Sequence, residues 1–562
     1  MIFFLIAAFF LGTPARAQQT STDQARLAAA QEAFDARRWE DASKLALGPA
    51  TQSPDFDFLA GLSLARLQKW SEAKQALEAG ARKAPKDPRF FVELAGVAYK
   101  QKDFRTAKGY LLKALRMRPE DSYSRQFLAT IYFLEGNLVA ALKYWNPEDQ
   151  PRIRSVVFAP PLQLNESLRN RALAFNAPQL LTGDALLASQ SRLDSLGIFS
   201  NQRVELAAAG SENYDVTLHL AEKNGWGDSK WEGLISLLGG LPYATIYPEF
   251  YNLGHGAVNL TALARWDDQK RRVSLVLSMP LQGNPCRHLR VYADARNENW
   301  NLSQTFFGAG IPLSDLNVRR VSAGAEFQAV VNGRWDWSSG VEFANRSFRN
   351  LSGLTSSAER PFFTNMASLA GWLGVRRTLV RVPEHRFTLD SSAEVKAGRE
   401  FADGLGRFGT VRGSLRTLWF PQAQGEDYAM QTQFRAGGTA GKTTVDELFH
   451  LGVERDNDLW LRGHAGTFEG RKGAAPLGRR YFLANWEMDK NIYRNGLFAV
   501  KLGPFLDSGA VADSSGLFGS RQWLWDFGLQ CKVRILSGVT VSLSYGRNLR
   551  GGKGVFYGTV LH

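Results

Sequence analysis

Toward the C-terminal end three charged residues are placed to pair rather than to react. Arg462 lies in Leu459-Trp460-Leu461-Arg462-Gly463-His464, preceded by Phe449-His450-Leu451-Gly452. Two carboxylates follow, Glu487 and then Asp507 in Pro504-Phe505-Leu506-Asp507-Ser508-Gly509. A guanidinium stays charged in any protein setting and can grip a carboxylate with two parallel hydrogen bonds. The chemistry on offer is an ion-pair latch. The reading is an arginine in a Gly-flanked loop, folded back into a barrel lumen, with Glu487 and Asp507 on the polar faces of nearby strands.

The elements that carry these residues read as strands. Alternation from Phe482 to Asp489 puts Ala484, Trp486 and Met488 on one face, and Asn485, Glu487 and Asp489 on the other. Likewise Asp507 shares a face with Lys501 and Ala499, opposite Phe498, Val500 and Leu502. The pattern extends back to about residue 231. Val258, Leu260, Ala262, Ala264 and Trp266 oppose Asn259, Thr261 and Arg265, and Val273, Leu275, Leu277 and Met279 oppose Ser274 and Ser278. Leu289, Val291, Ala293 and Ala295 oppose Arg290, Tyr292, Asp294 and Arg296; near the end Val539, Val541, Leu543 and Tyr545 oppose Thr540, Ser542 and Ser544. One apolar and one charged face, repeated across residues 231–562, is the signature of a transmembrane β-barrel with a polar lumen. At about 20 residues per strand and turn the segment accommodates about sixteen strands. Twelve of the fifteen Trp residues fall after residue 225, as interfacial aromatic girdles require.

These motifs resemble those of the outer-membrane superfamily that includes BamA/TamA-type assembly factors and two-partner-secretion transporters. There a lid loop with V-R-G-[FY] locks onto F-x-D of a nearby strand. Here the loop reads Leu461-Arg462-Gly463-His464, with histidine in the aromatic place, and the strand reads Phe505-Leu506-Asp507. Asn252-Leu253-Gly254-His255-Gly256 before one strand and Ser278-Met279-Pro280 closing the next also look familial. The resemblance implies a barrel of sixteen strands. Many relatives end in an aromatic residue that assists insertion, whereas this chain ends in His562, leaving Phe556 and Tyr557 for that role.

Ahead of the barrel, residues 23–150 repeat with a period of 34. Trp70, Phe104 and Leu138 share one position, Ala73, Ala107 and Ala141 another, and Leu77, Leu111 and Trp145 a third. This is the tetratricopeptide pattern of paired antiparallel helices, whose concave groove docks peptides or proteins. An imperfect earlier unit includes Trp39-Glu40-Asp41-Ala42. Residues 152–222 begin with a β-prone Ile153–Phe158 and continue into a helical run through Leu180, Leu186, Leu187, Leu193 and Leu196. Then come Leu196-Gly197-Ile198-Phe199 and two strands, the second ending Leu218-His219-Leu220-Ala221-Glu222. This segment resembles a single POTRA domain. The resemblance implies sheet edges that receive client strands by β-augmentation.

Other chemistries find little support. Residues 1–17 read as a secretory signal, an apolar Ile2–Gly12 followed by Ala15-Arg16-Ala17, though without a basic start. No later stretch is apolar enough for a transmembrane helix, so only a closed barrel could span a bilayer. The net charge of +14 comes without a dense basic run, and it suits a lumen and lipid phosphates better than nucleic acid. Ala436-Gly437-Gly438-Thr439-Ala440-Gly441-Lys442-Thr443 resembles a relaxed phosphate loop but follows a polar alternating strand, and reads as a Gly-rich hairpin turn. The seven histidines show no metal-ligand spacing, no G-x-S-x-G elbow occurs, and Cys286 and Cys531 are expected to be unpaired. No cofactor, metal, nucleotide or enzymatic role is expected.

The expected molecule is a multidomain outer-membrane protein: a helical tetratricopeptide solenoid, a small α+β POTRA-like domain and a barrel, with the N-terminal domains in the periplasm. Its expected partners are unfolded or extended client proteins, membrane lipid and a lipoprotein docked on the solenoid, and its expected work is client insertion or translocation. The alternatives are a passive solute pore and a dedicated exporter of one surface protein. That last class, the surface-lipoprotein assembly modulators, joins helical repeats to a barrel without POTRA domains.

Overall fold

The computed structural model describes residues 14–47, 53–210, 213–227, 229–308, 313–402, 404–518, 522–535 and 539–561. The apolar part of the expected signal and the terminal His562 lie outside these residues; Ala15-Arg16-Ala17 falls in the first helix. The chain divides into two compact units, Met1–Asp149 and Gln150–His562.

The first unit consists of α1 Pro14–Asp35, α2 Trp39–Ala46, α3 Pro54–Arg66, α4 Trp70–Lys83, α5 Pro88–Lys100, α6 Phe104–Met117, α7 Ser122–Leu134 and α8 Leu138–Trp145. Repetition sets the helix starts. Asp103 and Asn137, 34 residues apart, each cap the next helix by accepting a backbone N–H, from Thr106 and Ala140 respectively. Trp70, Phe104 and Leu138 are the first residues of α4, α6 and α8. Ala73, Ala107 and Ala141 are fully buried, and only a methyl group lets the paired helices approach so closely.

The second unit opens with β1 Arg152–Ala159, α9 Glu166–Ala172, α10 Gly183–Leu196, β2 Phe199–Ala208 and β3 Asn213–Glu222. The strands form one sheet in the order β1-β3-β2, with β1 parallel and β2 antiparallel to β3. Gly197 ends α10 at φ +68°, a left-handed conformation that favours glycine.

A helix, α11 Lys230–Leu238, comes next, where sequence alternation suggested the barrel was already under way. Its exposed Trp231, Leu234 and Leu238, with Leu241 just beyond, recur every three or four residues, a helical and not a strand period. The first wall strand follows in two pieces, β4 Thr245–Ile246 and β5 Glu249–Leu253, separated by Tyr247-Pro248. The wall continues through β6 Val258–Trp266, β7 Lys270–Leu281, β8 Asn284–Trp300, β9 Leu316–Asn332 and β10 Trp335–Arg349. It then runs through β11 Met366–Val382, β12 Phe387–Ala402, β13 Gly404–Trp419 and β14 Tyr428–Gly441. The loop after β14 carries four two-residue strands: β15 Phe449–His450, β16 Thr467–Phe468, β17 Arg471–Lys472 and β18 Leu477–Gly478. The last wall strands are β19 Arg480–Arg494, β20 Phe498–Ala512, β21 Leu524–Ile535, β22 Val539–Asn548 and β23 Gly554–Leu561.

These strands close into a barrel, with β4 adjoining β23. Among the described residues it has a broken first strand and fourteen long ones, in keeping with the expected size. The Tyr243 hydroxyl donates to the Gly558 carbonyl across the seam at 2.9 Å. The glycine-rich Ala436–Gly441 is the end of β14, not a hairpin turn. It pairs with both β13 and β19, and a side chain on Gly437 would meet the Tyr481 ring at 2.6 Å.

The polarity of the wall is inverted relative to a water-soluble fold. Val273, Val341, Leu373, Val411 and Leu529 are exposed on the outside, whereas Arg265, Asp294, Glu298, Arg346, Asp507 and Asp526 are buried within. That is the arrangement expected of a barrel with an apolar outer wall and a polar lumen. No helix among the described residues is long and apolar enough to cross a membrane. Both thiols, Cys286 and Cys531, are free.

Candidate functional site: a lumen loop held on three sides

The loop of residues 442–479 folds back into the barrel, and its tip is Arg462. The Arg462 side chain donates from Nη2 to Asp507 Oδ1 at 2.6 Å and from Nε to Oδ2 at 2.8 Å, while its backbone N–H reaches the same Oδ2 at 3.0 Å. Nη1 donates to Glu487 Oε2 at 3.0 Å and to Gln530 Oε1 at 2.8 Å. The guanidinium stacks over the Phe505 ring, its carbon 3.8 Å from the centroid. Alternation along β20 explains why Phe505 and Asp507 act together: two residues apart, they share the lumen face. The structure therefore brings Arg462, Glu487, Phe505 and Asp507 to one place.

Gly463 is required by close approach. A Cβ there would lie 2.7 Å from Asp526 Oδ1 and from the Asn548 backbone nitrogen. Its N–H donates to Asp526 Oδ2 at 2.6 Å. His464, which departs from the aromatic of the resembling motif, fits a polar seat instead. Nδ1 lies 3.0 Å from Asp526 Oδ2, and Nε2 lies 3.1 Å from the Asn548 amide nitrogen. Asp526, Gln530 and Asn548 escaped the sequence reading. Alternation of Trp525, Phe527 and Leu529 against Asp526, Gly528 and Gln530 was the signal for the first two. Lys532 completes the seat, donating to Glu487 and Asp489 at 2.8 Å each.

Two further anchors hold the same loop. On the β6–β8 side, Asp456 accepts from Arg265 and Arg272 at 2.7 Å each, and Lys472 donates to Glu298 at 2.8 Å. Lys472 also pairs with Trp300, so β17 adds in parallel to the top of β8. On the β10 side, Arg346 bonds Asp446 at 2.8 Å and also bonds Glu447. Above the loop an apolar cluster buries Trp300, Phe306, Phe348, Phe362, Phe363, Leu448 and Phe518, drawn from several long loops and strand ends. Three charged anchors thus hold the loop inside the lumen, beneath an apolar roof.

At the opposite rim, where the turns are short, the small α/β sheet docks. Asn252, in the Asn252–Gly256 turn, donates to Glu222 Oε1 at 2.8 Å and to Asn224 Oδ1 at 2.6 Å. The Asn165 N–H donates to the His255 carbonyl at 2.8 Å, and the Asn259 amide donates to the Leu196 carbonyl at 2.8 Å. The two motifs singled out at the end of the sheet and the start of the barrel thus meet in one joint. Among the described residues β2 pairs with β3 alone, leaving its other edge free.

No protein-family model matches the sequence, and no curated protein is similar to it. Among solved structures, BamA from Haemophilus ducreyi lacking POTRA domains 1-3 is 13% identical over 73% of this chain and 84% of that one, with a TM-score of 0.41. CdiB from Acinetobacter baumannii is 13% identical over 73% and 74%, with a TM-score of 0.43. MamA is 16% identical over 22% of this chain and 74% of its own, with a TM-score of 0.22.

Proposed function

We propose that this chain is an outer-membrane barrel that inserts or translocates client proteins, with the solenoid and the POTRA-like sheet in the periplasm. The observation that carries the reading is the combination of a loop anchored within the lumen with a free strand edge on the docked sheet. A passive pore needs a standing aqueous path, and the loop anchored by Arg462, Lys472 and Arg346 stands in that path. The unpaired backbone groups of β2, by contrast, are a template for an extended client segment. In this reading the solenoid captures the client, β2 aligns it, and the latch keeps the loop seated.

The βααββ order of residues 152–222 favours this function over the single-client exporter whose class lacks such a domain. Site-specific photocrosslinking tests it. A crosslinker at exposed Arg203 on β2 is expected to trap extended polypeptide during export. Crosslinks from a site on α10 equal to those from Arg203 would remove the edge from the account.

A further inference from the structure

The outward wall carries a groove that the client function does not use. It lies across β14, β19, β20 and β21 near the loop-bearing rim and encloses about 600 Å³. Its floor is the register pair Ala484 and Ser508. Phe434 flanks it on one side and Trp525 on the other, with Phe482 and Trp523 above, their rings 5.5 Å apart and edge to face.

Two polar features single this groove out from the rest of the apolar wall. Ser508 is only 7% exposed, and its hydroxyl has no hydrogen-bond partner. A buried hydroxyl left unmatched costs free energy, so it marks a place where an acceptor belongs. Arg480 lies two residues rimward of Phe482 on the same face, is exposed, and makes no ion pair among the described residues. An arginine on a lipid-facing wall at the headgroup level is suited to a phosphate.

We propose that this groove binds an acylated, phosphate-bearing lipid of the surface leaflet. One acyl chain lies between Phe434 and Trp525, the Ser508 hydroxyl, turned about its Cα–Cβ bond into the groove, donates to the carbonyl of the acyl linkage, and Arg480 holds the phosphate. The occupant is lipid because the groove opens outward on the wall that exposes Val273, Val341, Leu373, Val411 and Leu529. The surface leaflet is assigned because the rim above Arg480 carries the long loops, whereas the α/β sheet docks at the other. The inference rests on the reading that the barrel spans a bilayer.

The test is native mass spectrometry of the full chain in detergent, titrated with lipid A, diacylglycerol or inorganic phosphate. Lipid A is expected to stay bound under activation that strips diacylglycerol, which has the acyl linkage but no phosphate, and phosphate alone to leave no adduct. Arg480→Gln is expected to lower lipid A retention about tenfold. Ala484→Leu, which fills the floor, should abolish it, while Arg399→Gln, an exposed arginine on β12, should not. Heat-modifiable migration on gels checks that every variant folds. Equal retention of lipid A and diacylglycerol, or equal losses in Arg480→Gln and Arg399→Gln, would overturn the site. Failure of the wild type to float with lipid vesicles would instead defeat the membrane reading itself.

Discussion

Asp507 holds both the side chain and the main chain of Arg462, 45 residues away: Oδ1 accepts from Nη2, and Oδ2 accepts from Nε and from the backbone N–H. The carboxylate thus fixes the orientation of the loop tip as well as its charge. Buried on both sides, the pair behaves differently from the exposed ion pair that Arg471 of the same loop makes with Asp315.

Arg462→Ala strands the Asp507 charge in the lumen, an effect of about 3–5 kcal/mol. Arg471→Ala removes an exposed pair worth about 0–1 kcal/mol. The expected outcome is a lowered temperature of heat-modification on gels for the first variant only. Arg462→Lys keeps the charge but not the two-pronged grip, and is expected to behave nearer to Ala than to wild type.

Gly546 supports the latch from beneath, since a Cβ there would lie 2.3 Å from the Arg462 carbonyl oxygen. Gly546→Ala is therefore expected to unseat the loop tip while the barrel still folds. In planar bilayers the wild type should show no large stable conductance, and Gly546→Ala should show frequent openings. Identical traces would mean that the tip tolerates displacement without opening the lumen.

The joint between the small sheet and the barrel turns on Asn252. Asn252→Ala removes hydrogen bonds to Glu222 and Asn224 and leaves Glu222 Oε1 without this donor, at about 1–3 kcal/mol. Limited proteolysis is expected to cleave between residues 222 and 230 faster than in wild type, with the barrel fragment intact.

In the solenoid, Ala107 is fully buried at the helix crossing. Ala107→Leu forces the α5–α6 pair apart at about 1–3 kcal/mol. The helical circular-dichroism signal should melt earlier, with the heat-modification of the barrel unchanged.

What could be read from the residues follows periodicity. The 34-residue spacing of Ala73, Ala107 and Ala141 and the alternation about Glu487 and Asp507 survive in three dimensions, because helix crossings and strand faces are set by local geometry. Contacts made by a single loop residue with distant strands leave no such trace. Asp456 and Lys472 carry no periodic signal, and their partners Arg265, Arg272 and Glu298 lie over 170 residues earlier in the chain. Helix α11 is a different case: Trp231, Leu234 and Leu238 carry a helical period in the sequence itself, and the expected barrel start at residue 231 counts that run among the alternating strands that follow it.

The most direct test of the central claim is quantitative proteomics of outer-membrane, surface and secreted fractions after depletion of this protein. The account predicts loss of one or more barrel, surface or secreted proteins, with small-solute permeability unchanged. An unchanged proteome with altered uptake of small solutes would contradict it and make the barrel a pore.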